Sequence, residues 1–224
     1  MPVARLGAIG DIHAEDDALA KSIAHLRALG VEVIVAVGDI VDGRGDVDRC
    51  CRLLRDEGVV TVRGNHERWL FRGEMRDLPE ATRLEALSDD AKAFLRSLPA
   101  TETIGTVAGE LLVCHGIGEN DMASVRPFDS VHALGDNAAL DEMLRSSVTV
   151  MVSGHSHERL VRTLGPLTIV NAGTLHRDDA PGFCLLDLEG RTVDYFDIDS
   201  SGGIRPGPSF TFGRAGQDLW DAGF

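Results

Sequence analysis

Lysine is nearly absent from this chain: Lys21 and Lys92 are the only two in 224 residues. The arginines are dispersed, and the formal net charge is −14. An extended nucleic-acid groove needs a basic stripe, so no such surface is expected. Cysteine is also sparse. Cys50, Cys51, Cys114 and Cys184 fit neither a zinc ribbon nor a disulfide framework. Reduced, buried thiols are expected, with Cys114 facing the core opposite His115. No apolar run approaches the roughly 20 residues of a membrane-spanning helix, so no membrane partner is expected. The segment Met1–Leu6 enters a strand without a charged-then-apolar signal pattern, which points to a cytoplasmic location. Repeats and low-complexity segments are missing too. What remains is 43% hydrophobic and 26% charged, the composition of a globular domain with a substantial core.

The first half alternates strand and helix. Leu6–Ile9, Val31–Val37 and Val59–Val62 are apolar, β-branched runs. Between them lie a helix over Ala18–Leu29, with Leu19, Ile23, Leu26 and Leu29 on one face, and a second helix capped by Asp46. The β-α-β-α-β order predicts a parallel sheet with right-handed crossovers. Residues 67–98 read as helical, broken at Pro79, with a further helix at Asp89–Leu98. Thr101–Val107 and Glu110–Cys114 read as a hairpin, and Asp136–Arg145 as a helix. Val148–Val152, Leu160–Leu164, Leu167–Val170, Gly182–Leu188 and Thr192–Asp197 read as further strands. The whole predicts two sheets packed face to face with helices outside, in a domain spanning residues 1–199. Residues 200–224 form a tail rich in Gly, Pro and aromatics, expected to dock on its own domain or on a second copy of the chain as a homo-oligomer arm.

Five short segments carry oxygen and imidazole donors beside glycine. They are Gly10-Asp11-Ile12-His13, Gly38-Asp39-Ile40-Val41-Asp42, Arg63-Gly64-Asn65-His66-Glu67, Cys114-His115-Gly116 and Gly154-His155-Ser156-His157. Most follow an apolar strand, and ligands in such sheets gather at the strands' carboxyl ends. In extended chain, residues two apart face the same side, so Asp11 and His13 can reach one ion, as can His155 and His157. The expected partition gives one ion Asp11, His13, Asp39 and His157. The other takes Asp39, Asn65, His115 and His155, with Asp39 bridging. This mixed donor set suits two divalent transition-metal ions, manganese foremost, with iron, zinc or nickel as alternatives. Two such ions generate a bridging hydroxide and clamp a phosphoryl group.

His66 follows Asn65 and is not needed as a ligand. It is the candidate general acid, with a helix-start cap as the plainer reading. Asp42 is either its orienting partner or a turn residue. Arg63 and Asn65 are placed on the substrate side, Arg63 gripping phosphate or pairing with Glu67 at the surface. His25 is read as inert, and His132 has no assigned place. His176 is read as loop decoration, with a place at the cleft as the alternative. Arg68, Trp69, Phe71, Arg72, Arg76, Arg126 and Phe128 flank the expected cleft. They either stack a base and hold a second phosphate or simply pack.

These motifs together resemble the calcineurin-like metallophosphoesterases over residues 5–198. The family pattern is Asp-x-His, Gly-Asp, Gly-Asn-His-Asp/Glu, His and Gly-His-x-His, and Asp11, His13, Asp39, Asn65, His115, His155 and His157 fill every ligand position. The resemblance implies an α/β fold, a four-layer α/β-β/α sandwich of two mixed sheets flanked by helices. It also implies a metal-dependent phosphoric ester hydrolase acting on small phosphodiesters or monoesters, nucleotides among them. Asn171-Ala172-Gly173-Thr174, followed by Pro181-Gly182-Phe183, is similar to the small prokaryotic phosphodiesterase branch. Arg63-Gly64-Asn65-His66-Glu67 is similar to the protein serine/threonine phosphatases. That branch continues its second motif as Asp-Arg-Gly, whereas Asp42-Gly43-Arg44 displaces the arginine by one position. Some small phosphodiesterases carry Cys where His66 stands and favour diesters, so His66 leaves monoesters open. A non-catalytic scaffold of this fold is the reading of a different class. It goes with degraded ligands, and none is degraded here.

Overall fold

The fold is seen in a computed structural model that describes residues 1–213. The chain begins β1 (Arg5–Ile9), α1 (Asp16–Ala28), β2 (Val33–Ala36), α2 (Val47–Asp56), β3 (Val60–Thr61) and α3 (Asn65–Arg72). It continues through α4 (Asp89–Ser97), the hairpin β4 (Thr101–Thr106) and β5 (Gly109–Cys114), and two short helices, α5 (Val131–Gly135) and α6 (Ala138–Leu144). The remaining strands are β6 (Val148–Ser153), β7 (Leu160–Leu164), β8 (Leu167–Asn171), β9 (Gly182–Asp187), β10 (Thr192–Ile198) and β11 (Ile204–Thr211).

Two mixed sheets result. The first has the order β11-β10-β9-β1-β2-β3, and the second β4-β5-β6-β8-β7. In the first, β1, β2 and β3 are parallel, whereas β9 and β10 close the sheet antiparallel. In the second, β5, β6 and β8 are parallel between antiparallel edge strands.

Strand alternation builds the layers. Leu111 and Val113 of β5, with Val150 and Val152 of β6, join Leu6, Ala8, Val35 and Leu186 between the sheets. Their neighbours Leu112, Cys114 and Met151 turn the other way and pack with Leu140 of α6. On the outer face of the first sheet, Leu19, Ile23 and Leu26 of α1 and Cys50, Cys51 and Leu54 of α2 pack with Ile9, Ile34 and Phe183. Three apolar seams therefore separate four layers, α/β-β/α. All four cysteines are buried and unbridged. Among the described residues, no helix is long and apolar enough to cross a membrane.

Local signals set the ends of the elements. The Asp46 side chain accepts the Arg49 N–H at 2.9 Å and caps α2, a contact worth about 1 kcal/mol. Helix α3 stops at Arg72 because Gly73 takes the left-handed conformation. The helical reading beyond it is corrected: residues 73–83 are largely irregular, tied down by Arg76 and Thr82 on Asp42. The helix expected over Asp136–Arg145 is likewise α6 alone, capped by Asn137, with α5 before it. The boundary drawn after Asp199 does not separate the tail from the sheet. Residues Ile204–Thr211 pair with β10 as an edge strand. Leu219, Trp220 and Phe224 lie outside the described residues, and with them the rest of the expected tail.

Candidate metal centre

The parallel strands of both sheets deliver their carboxyl ends to one place. Asp11 follows β1, Asp39 follows β2 and Asn65 opens α3 after β3. From the other sheet, His115 follows β5, and His155 and His157 follow β6. The loops meet closely enough that glycine is required. A Cβ at Gly64 would lie 2.1 Å from Asp39 Oδ1, and one at Gly154 would lie 2.7 Å from Asp11 Oδ2. His13, Asp39, Asp42, His155 and His157 all have positive φ, between 45° and 67°. Such conformations cost about 1–3 kcal/mol each and persist where surrounding structure enforces them.

Asp11, His13 and His157 place one donor atom each within 4.8 Å of one another, and so do Asp39, His115 and His155. In the first group, His13 Nδ1 donates to the Asp42 carbonyl at 2.9 Å, and His157 Nδ1 donates to Asp179 Oδ2 at 2.6 Å. Both acceptors lack hydrogens, so these bonds assign the protons to Nδ1. The two Nε2 atoms face each other at 3.1 Å. Nitrogens sharing one ion at about 2.0–2.1 Å stand about 3.0–3.4 Å apart, so the spacing suits a cation.

The second group repeats the arrangement. His115 Nδ1 donates to the Val37 carbonyl at 2.8 Å, which turns Nε2 toward Asn65 Oδ1 at 2.8 Å and Asp39 Oδ2 at 3.2 Å. His155 Nδ1 lies 2.9 Å from the same Asn65 oxygen. Four electron-pair donors converge here, and positive charge must sit among them. Without a metal, that charge is a proton. Burial opposes charging His115, but the Asp39 and Asp11 carboxylates outweigh it and push the pKa up to about 10. His13 and His155 move the other way, both chiefly through burial, as befits neutral ligands. The residues present fit divalent cations.

Glu67 holds the Asp39 loop. Its buried carboxylate accepts four backbone N–H groups: Asp39 at 3.0 Å, Ile40 at 2.7 Å, Val41 at 3.2 Å and Gly64 at 2.7 Å. Burial, with the Asp39 charge nearby, raises its pKa.

The sequence profile of the calcineurin-like phosphoesterase superfamily domain matches residues 5–191. The chain belongs to that superfamily. No curated protein sequence matches it. Among solved structures, it is similar to a hypothetical protein from Pyrococcus horikoshii, with a TM-score of 0.71 and 17% identity over 88% of this chain and 89% of that one. A metallophosphoesterase from Sphaerobacter thermophilus gives 0.65 and 19% over 88% of each chain. Vps29 from Entamoeba histolytica, complexed with Zn2+, gives 0.53 and 18% over 91% of this chain and 97% of that one. At these identities the likeness is one of fold.

Beside these donors, His66 Nδ1 lies 2.7 Å from Asp42 Oδ2, and its Nε2 points back to Asp39 Oδ2 at 3.8 Å, close enough to form a third donor group with His13 and Asp39. Burial works to lower the His66 pKa, but the Asp42 hydrogen bond and the Asp39 charge overcome it and the pKa rises. Burial also works to raise that of Asp42. Hydrogen bonds from His66, Arg76 and the Thr82 N–H reverse this, and the carboxyl stays below its usual range.

Arg63 requires a correction. It is exposed, its guanidinium reaches the Leu98 carbonyl at 3.5 Å, and it does not line the cleft. Strand alternation explains the placement: Val62 faces the inter-sheet seam, so Arg63 turns to the other side, beside the residues after α4. It does not pair with Glu67 either. Arg44 bonds Glu80 and Asp178. His176, read as loop decoration, lines the cleft with its ring 5.4 Å from that of His13. Asp179, Arg76 and Glu67 were not singled out for their roles, because each acts through a partner distant in sequence.

Proposed function

We propose that this protein is a metal-dependent phosphoesterase that holds two divalent transition-metal ions and hydrolyses small phosphate esters. The convergence of seven donors on one place, with Asp39 Oδ2 3.2 Å from His115 Nε2 and 4.0 Å from His13 Nε2, supports this reading. Asp11, His13, Asp39 and His157 would hold one ion, and Asp39, Asn65, His115 and His155 the other. Divalent ions in such a site polarise phosphoryl oxygens and lower the pKa of water at neutral pH.

The remaining chemistry belongs to the chain. Hydrolysis forms a bond from a water oxygen to phosphorus and breaks the ester P–O bond, so the departing alkoxide needs a proton. His66 is the donor in this reading, through Nε2, which faces the donor cluster. Asp42 keeps its ring cationic and oriented, and Arg76 holds Asp42 through two N–H bonds of 2.9 and 2.8 Å. Arg44, committed to two carboxylates outside the cleft, speaks against the grip on phosphate used by protein phosphatases.

Elemental analysis joined to a hydrolysis panel tests the reading. With Mn2+, turnover of bis-p-nitrophenyl phosphate, p-nitrophenyl phosphate or cyclic nucleotides is expected. Faster turnover of a phosphopeptide would transfer the assignment to protein phosphatases. Bound metal with no turnover of any substrate would move it to a binding role of the kind open to this fold.

A further inference from the structure

The walls of the cleft differ in character from its floor. Trp69, Leu78 and Pro79 line the same cleft as the metal donors, and none has a charge. Trp69 is half-buried on α3, with its ring 4.7 Å from that of His66. It therefore flanks the place where the alcohol of an ester would leave.

Cations for a second phosphate are missing from this cleft. Among the described residues, no Lys or Arg lines it. The nearby arginines are already engaged: Arg76 with Asp42, Arg68 with Asp121 through 2.7 and 2.9 Å bonds, and Arg177 with Glu15. Asp179, with its side chain 43% exposed, adds negative charge at the rim. A second phosphate here would lose water without gaining a partner. The cleft, about 270 Å³, lies at the small end of ligand pockets, which run about 300–1,000 Å³.

Resting on the phosphoesterase reading, we infer that the preferred substrate carries a single phosphoryl group on a flat, apolar alcohol whose ring lies against Trp69. The phosphoryl group meets the donor cluster, and the ring displaces water from the Trp69–Pro79 wall. Trp69 determines specificity by contact with the substrate.

Benzyl phosphate and methyl phosphate test this cleanly, because their alkoxides are of similar basicity and leaving-group chemistry cancels. With the Mn2+-loaded protein, benzyl phosphate is expected to show a kcat/KM about tenfold or more above methyl phosphate, the scale of one aromatic stack. Trp69→Leu should shrink that ratio several-fold. Benzyl diphosphate, whose leaving group is phosphate and not an alkoxide, is compared by binding as a competitive inhibitor and should bind no more tightly than benzyl phosphate. A ratio near one, a ratio unmoved by the substitution, or tenfold tighter binding of the diphosphate overturns the inference while leaving the phosphoesterase reading intact. If neither ester turns over, the phosphoesterase reading is judged by the hydrolysis panel above. Calorimetric binding of phenylphosphonate against methylphosphonate then decides the recognition claim: tighter binding of the aryl compound supports it, and equal affinities overturn it.

Discussion

The Asp42 carboxylate sits between His66 and Arg76, with Oδ2 2.7 Å from the His66 ring nitrogen and 2.8 Å from the arginine fork. A side chain 3% exposed thus joins the proposed proton donor to a fixed cation. Asp42→Asn keeps the shape and removes the charge that favours imidazolium. We expect kcat on alkyl esters to fall by about 10²-fold, at the lower end of general-acid contributions. Esters of p-nitrophenol, which leave without a proton, should lose much less. Steady-state kinetics on both substrates make the comparison, and equal losses would remove His66 as the donor.

Glu67 makes a prediction about folding rather than chemistry. Glu67→Ala leaves four buried N–H groups of the Asp39 and Gly64 loops without acceptors. An unsatisfied buried donor costs about 1–3 kcal/mol, so a loss of about 3 kcal/mol or more is expected. Denaturant melts of the metal-free protein isolate this effect from ligation. A midpoint unchanged from the parent would contradict the bracing role.

Asp39→Asn should abolish metal and turnover together, because in the proposed partition the residue serves both ions. His66→Ala should keep the metal and lose turnover. Inductively coupled plasma analysis of the two variants, prepared alike, separates ligand from proton donor. A fully loaded Asp39→Asn variant would break the partition.

Much of this was legible in the sequence, and what escaped did so for physical reasons. Apolar runs ending in Gly-Asp or Gly-His marked β1, β2 and β6, and one ending in Cys-His-Gly marked β5, because buried parallel strands and donor-bearing turns have few other compositions. Asp46 announced α2 as a cap. Strand β11 stayed hidden, since Arg205, Pro206, Gly207 and Pro208 read as coil. It exists because β10 offers an open edge, on which Pro is tolerated. Arg63 was misplaced by counting distance along the chain from Asn65, whereas the pleat turned it away. Asp179 looked like any surface charge, and Arg76 was placed at the cleft for a second phosphate or for packing rather than on Asp42. Only the fold brings them to His157 and Asp42, 22 and 34 residues away.

The thiols offer a prediction far from the site. Burial pushes the Cys51 and Cys114 pKa values up to about 12 and raises those of Cys50 and Cys184 as well. At pH 8 a thiol of pKa 12 is about 10⁻⁴ thiolate, and the thiolate is the reactive form. Native protein should therefore leave Ellman's reagent nearly colourless over minutes, with four equivalents released in guanidinium. Rapid reaction of any one thiol in the native state would contradict this burial.

The donors come from both sheets, four from the first and three histidines from the second, so a bound ion would rivet two slabs whose seam is otherwise mostly oily side chains with a few hydrogen bonds such as those of Tyr195 to the Leu160 and Asn171 carbonyls. Linkage runs in both directions. A methylene removed from Val150 or Leu186, remote from any ligand, would let the slabs shift and register as weaker ion affinity. Chelation would in turn loosen the seam beneath, making the mineral content of the purified protein a gauge of how well its greasy middle is packed.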